Sequence, residues 1–206
     1  SIRLRRLMTE TQRAGISRVI PLSRWRPSDV LELVASREKL RPRAAQITDR
    51  LYRETEGLPY FVVEYLDALS DAPDSWEMPP SVRDLLAGRL SGVDQAGLQL
   101  LQTAAVIGRS FDYTTLLEAS GRSEEEVIDG LERLLNSSLI REIDRAQGEL
   151  TGAKLDGEPH YDFTHPQLRS LVYDEINLAR RRLLHRRVAT ALQPRMRGPQ
   201  GEGLAS

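Results

Sequence analysis

Three histidines, His160, His165 and His185, are present, and there is no cysteine. Disulfides, thiolate metal sites and thiol nucleophiles are therefore excluded. His160 and His165 flank one predicted strand five positions apart, which sets them on opposite faces and argues against a shared metal; His185 reads as part of a helix surface. No Ser, His and Asp set of the nucleophilic kind accompanies them. A phosphate-gripping P-loop is missing too. It needs a lysine directly after a glycine, because the glycine backbone wraps the phosphates while the ammonium reaches the outer ones. The only lysines, Lys39 and Lys154, follow Glu38 and Ala153. The chain as it stands carries no catalytic apparatus.

Two short motifs remain that could bind. At Glu56-Gly57-Leu58-Pro59-Tyr60-Phe61, glycine and proline sit between two predicted helices, and an apolar proline at a helix start can pack flat against an adenine ring. At Phe163-Thr164-His165-Pro166, a histidine leaves a strand and enters a helix. The free amides and dipole at such a start favour an anion, so His165 could donate to a phosphate oxygen; the plainer reading is that it caps the helix.

The elements that must position these motifs are mostly helical. A basic stretch over 2–14 is helix-compatible, Gly15 ends it, and the short run 17–22 has strand character. Periodicity then predicts helices over 27–35, with Val30, Leu31 and Val34 on one stripe, over 44–55, and over 60–69, with Phe61, Val62, Tyr65, Leu66 and Leu69 inward. A proline-rich linker over 70–80 leads to Ser81, whose hydroxyl could cap a helix running to Leu90.

A second unit has a different grammar. Helices are predicted over 94–107, with Leu98, Leu101 and Ala105 on one face and Gly108 as its stop, and over 113–119, ended by Gly121. A third opens on the Ser123 and Glu126 capping box and turns Val127, Leu131, Leu134 and Leu135 inward. Alternation at Leu139–Ile143 and Tyr161–Phe163 then predicts a β-hairpin. Three helices followed by a hairpin is the order of a winged-helix domain. Pro166 fits the first turn of the next helix, which buries Leu168, Leu171, Val172 and Ile176. An arginine-rich helix over 179–192 closes the folded part, and proline, glycine and charge without periodicity follow from Gln193.

Charge narrows the function classes. The 206 residues carry a formal net charge of −1, which gives no global attraction to nucleic acid. On the third winged-helix helix, Glu124, Glu125, Glu126, Asp129 and Glu132 stand against the single Arg133, so a phosphate backbone would be repelled and direct DNA binding is not expected. Arg180, Arg181, Arg182, Arg186 and Arg187 read as a solvated or partner-facing side of the last helix. No apolar run approaches the roughly 20 residues of a membrane span, and the chain opens on Ser1 rather than methionine, so its natural N-terminus is expected elsewhere.

In order and company these features resemble the second half of STAND-class signal-transduction P-loop ATPases, in texture the large bacterial regulators of the MalT and LuxR type or related AAA-type ATPases. The resemblance covers Ile2 to about Leu192 and is carried by Thr55–Leu66, Ala104–Phe111, and Phe163-Thr164-His165 with Leu183-Leu184-His185. It implies a mainly α chain: residues 1–25 the last helix and strand of an α/β ATPase core, 26–92 a helical lid domain, 93–177 the winged helix, and 178–206 the start of a C-terminal helical region with a tail. It implies a non-catalytic, nucleotide-sensing module of a larger cytoplasmic ATPase that controls signalling or transcription, with Walker segments before Ser1. ADP or ATP would lie between that core and this chain, with no metal site here. The Gly57-Leu58-Pro59 element would meet the base through Pro59, and His165 would sense the β-phosphate, although Pro166 stands where some relatives have an acidic residue. The implied partners are the P-loop core of the same protein, a C-terminal helical or sensor domain, and further copies in self-assembly. The alternatives left by the residues are a winged-helix DNA binder and a protein-interaction scaffold without nucleotide.

Overall fold

Prolines and short acidic caps decide where most of the helices begin. The computed structural model describes residues 7, 10–12, 15–17, 23–143 and 158–196, with side chains to 193 in the last helix. The elements are α1 (Pro27–Ser36), a 3-10 turn (Arg41–Arg43), α2 (Ala44–Thr55), α3 (Pro59–Asp71), α4 (Pro80–Leu90), α5 (Gln95–Ile107), β1 (Ser110–Asp112), α6 (Tyr113–Ser120), α7 (Glu124–Asn136), β2 (Ile140–Ile143), β3 (His160–Phe163), α8 (Pro166–Asp174) and α9 (Leu178–Met196). Pro27, Pro59, Pro80 and Pro166 each occupy a first helical position, where no amide partner is lost and φ is already helical. Asp94 and Asp112 cap α5 and α6 by accepting from the Gly97 and Thr115 amides at 2.7 Å. The Ser123 and Glu126 box closes on α7 as expected, each side chain accepting the other residue's amide proton.

The fold is mainly helical with a small antiparallel sheet, and the sheet has three strands rather than a hairpin's two. Its order is β1-β3-β2, so the last strand in sequence is central. Ser110 pairs with Asp162 and Phe111 with Tyr161 on one side; Ile140 pairs with Phe163 and Arg141 with Asp162 on the other. With both edges paired, all four residues of β3 are buried. The expected hairpin overlooked β1 because three residues between the stop at Gly108 and a capped helix are too few to show alternation.

One continuous apolar cluster runs from Val30 and Val34 in α1, through Phe61, Leu66 and Leu69 in α3, to Leu100, Leu134, Phe163 and Leu168 in the second half. A smaller cluster, Val106, Ala119, Ile176, Leu184 and Val188, seats α9 on α5 and α6. Three expectations change. Leu31 stays 40% exposed, since only Val30 and Val34 of the predicted stripe face α2. Ser81 does not cap α4, because Pro80 begins the helix a residue earlier and the Ser81 hydroxyl donates to Glu64 instead. α9 continues to Met196 instead of ending at Leu192.

The arginines of α9 divide: Arg182 and Arg186 are exposed, as a solvated side would have them, while Arg180, Arg181 and Arg187 bond to the body of the fold. Arg187 donates to the Ser120 carbonyl at the end of α6 at 3.0 Å, and Arg181 donates to the carbonyls of Tyr173, Asp174 and Ile176 at the end of α8. Helix C-termini leave four carbonyls unpaired and carry partial negative charge, so a guanidinium satisfies both needs. At the other end of the chain, residues 10–12 are helical and Gly15, at φ 69°, donates to the Gln12 carbonyl in the turn that ends them. The predicted strand over 17–22 lies almost wholly outside the described residues, as do most of the stretch between β2 and β3 and the tail after 196.

Candidate functional site

The junction between α2 and α3 is shaped by two successive residues in the left-handed region, Glu56 at φ 50° and Gly57 at φ 71°. Gly57 is required there on two counts. A side chain at its φ is strained, and a Cβ would stand 2.1 Å from the Trp25 carbonyl oxygen and 3.0 Å from the Tyr52 ring. That close approach serves a hydrogen bond, for the Trp25 amide donates to the Gly57 carbonyl at 2.8 Å. Leu58 then takes the extended cap conformation, donating its amide to Thr55, and Pro59 begins α3 half-buried.

The second motif leaves β3 through Thr164, whose amide and hydroxyl both donate to the Leu139 carbonyl, and reaches His165 at the cap position of α8. His165 is not a side-chain cap: its ring makes no cap hydrogen bond. It turns inward, 9% exposed, with the edge of Phe61 from α3 against it at 5.5 Å between ring centroids. Its Nδ1 is sealed from solvent without a hydrogen-bond partner. The other two histidines are served: His160 Nδ1 meets the Glu158 carbonyl at 2.8 Å, and His185 Nε2 meets the Tyr173 hydroxyl at 2.9 Å. Burial, followed by the charges of Arg89, Arg24 and Arg141, pushes the His165 pKa down to about 4.

The structure brings the two motifs together through residues that sequence inspection did not single out. Arg24 donates from Nη1 to Glu56 Oε2 at 2.7 Å and from Nη2 to the Thr164 carbonyl at 3.5 Å, so one guanidinium touches both junctions. Arg109, just after α5, holds the other carboxylate oxygen, Glu56 Oε1. Arg141 of β2 pairs with Asp162 at 3.2 Å, and Asp162 also accepts from Ser110 Oγ at 2.5 Å. Arg89, in the last turn of α4, is exposed and has no ion pair among the described residues. Four guanidinium groups thus stand around the junctions against the carboxylates of Glu56 and Asp162. Underneath, Gln167 of α8 donates to Glu54 Oε2 at 2.6 Å and to the Glu54 carbonyl at 3.1 Å, fastening α8 to α2.

A neutral imidazole with an unpaired nitrogen, set among arginines in excess over carboxylates, can accept a proton when an anion arrives and then hold it by a charge-assisted hydrogen bond. The Glu56-Gly57-Leu58-Pro59 turn and His165 are linked at two points: Arg24 bridges Glu56 to the Thr164 carbonyl, and Phe61, in the first turn of the helix that Pro59 begins, sets its ring against the imidazole. Glu56 and Arg109 lay inside stretches already marked as distinctive, but their pairing spans 53 residues and nothing local announces it. Arg24 sits in an aperiodic run and gave no signal at all. In comparisons with family models, curated proteins and solved structures, nothing matches this chain.

Proposed function

We propose that this chain is the nucleotide-sensing lid and winged-helix module of a larger STAND-type ATPase in signal transduction or transcription control. It would not itself hydrolyse ATP. The observation that carries the reading is His165: buried, unpaired at Nδ1, depressed in pKa and surrounded by arginines, one of which also grips the Glu56-Gly57-Leu58-Pro59 turn. Those are the needs of a phosphate group on one side and of a base-contacting proline on the other. In this reading ADP lies between a preceding P-loop core and this chain, its base against Pro59 and its phosphates towards His165, and holds the two junctions together. Exchange for ATP shifts the arrangement only to the extent that the two nucleotides bind its open and closed forms with different affinity.

The connectivity supports the winged-helix part of the proposal. Helix α5, strand β1, helices α6 and α7, and strands β2 and β3, with β1 beside β3, follow the order such a domain requires. The exposed acidic face of α7, with Glu124, Glu125, Glu126, Asp129 and Glu132 in solvent, weighs against DNA reading by its third helix. The test uses a protein that includes the P-loop segment: His165→Ala should speed ADP release and raise basal signalling, whereas unchanged ADP retention would remove His165 from the nucleotide site.

A further inference from the structure

A cleft of about 700 Å³ opens where the loop before α4 passes over α2, α3 and α8, among Glu54, Tyr65, Trp76, Glu77, Asp84 and Asp174. Its volume is that of a small-molecule site. Four carboxylates line it, with Arg83 as the single cation in the wall. Glu54 accepts from Gln167, but Glu77, Asp84 and Asp174 have no ion pair or side-chain hydrogen bond among the described residues. Their charges are left facing solvent and the cleft.

An acidic lining alone is common on protein surfaces. Here it is joined by a buried tyrosine that lines the cleft. Tyr65 is 2% exposed, lines the cleft, and its hydroxyl forms no hydrogen bond among the described residues. Burial, aided by the charge of Glu54, raises the phenol's pKa, so the group stays neutral and its oxygen offers lone pairs to a donor. Trp76 adds an indole to the wall, one face of it covered by the Arg50 guanidinium at 4.4 Å from the ring centroid. Carboxylates for charge, a neutral phenol oxygen for an N–H, and apolar area from Trp76 and Met78 for a hydrocarbon stem make a set that an alkylammonium satisfies and a hydrated metal ion does not.

We infer that this cleft binds a small organic cation of the di- or polyamine class, its ammonium groups on Glu77, Asp84 and Asp174 and one N–H donated to the Tyr65 oxygen. The cleft adjoins the underside of the His165 junction at Glu54 and Gln167, but its proposed ligand groups take no part in that junction and the proposal does not depend on the nucleotide reading.

Calorimetric titration of the chain with spermidine at constant ionic strength, with magnesium chloride as the control cation, tests it. One-site saturable binding is expected, weakened about tenfold by the Glu77→Gln, Asp84→Asn double variant, which changes only exposed side chains. Tyr65→Phe should weaken it about threefold with the fold intact, as loss of one hydrogen bond does. Absence of saturable heat, equal affinity in the double variant, or equal competition by magnesium would each overturn the proposal.

Discussion

The two junctions that meet at the candidate site enter their helices alike, each through a proline at the first helical position, yet they are held by opposite means. The Glu56-Gly57-Leu58-Pro59 turn is fixed by backbone sterics: two left-handed residues, a carbonyl 2.1 Å from where a Cβ would be, and a main-chain bond to Trp25. The Thr164-His165-Pro166 turn is fixed on its strand side by Thr164, while its histidine is left without a hydrogen bond at Nδ1 and lies among charges that disfavour its protonation. One junction cannot respond to a ligand without breaking. The other is poised to respond, because an arriving anion changes both the protonation and the bonding of its imidazole.

The largest effect expected from this contrast is at Gly57. Gly57→Ala combines an unfavourable φ with a backbone clash and should destabilise the chain by roughly 3–5 kcal/mol in urea unfolding. A loss under 1 kcal/mol would show that the turn is soft and remove the contrast. Next is the pH response of His165. With a folded pKa of about 4 against an ordinary value of 6.5, the unfolded chain binds more protons between those limits. Stability therefore falls as pH drops from 6.5 to 4, by about 3 kcal/mol attributable to this residue. His165→Gln, measured over the same range, should lack that component while keeping the shared response of the carboxylates, and parallel curves would place the imidazole in ordinary solvent. The smallest effect belongs to the carboxylate between the junctions. Glu56→Gln should cost about 1 kcal/mol, because its partners Arg24 and Arg109 are both more than a third exposed and solvent screens them. It should also tighten binding of inorganic pyrophosphate severalfold by releasing two guanidinium groups. Weaker pyrophosphate binding would mean that Glu56 organises the arginines rather than competes for them.

Much of the fold was legible because it is local. The helix over 44–55, the capping box at Ser123 and Glu126, the glycine stop at Gly121 and the starts at Pro27 and Pro166 each depend on residues a few positions apart, and the structure has them as read. β1 was not legible, since a three-residue strand is made by its partner Tyr161 and Asp162 rather than by its own pattern. The candidate site divides in the same way. Gly57, Pro59 and His165 stand out by type and position. Arg24, Arg89, Arg109 and Arg141 are ordinary surface arginines in sequence, and only folding sets Arg24, Arg89 and Arg141 near the imidazole and Arg109 on the Glu56 carboxylate.

The docking of α9 bears on where the chain can be divided. Arg181 and Arg187 supply the last carbonyls of α8 and α6 with donors, and Leu184 and Val188 close the cluster that includes Val106 and Ala119. A version ended at Asn177, just before that helix, would keep every element of the sheet-bearing unit, yet two helix ends would lie bare and an apolar face of α5 and α6 would be open to other chains. The last helix thus acts as a cover sewn onto the unit it follows, and the shortest piece of this protein to keep that face closed would run through it.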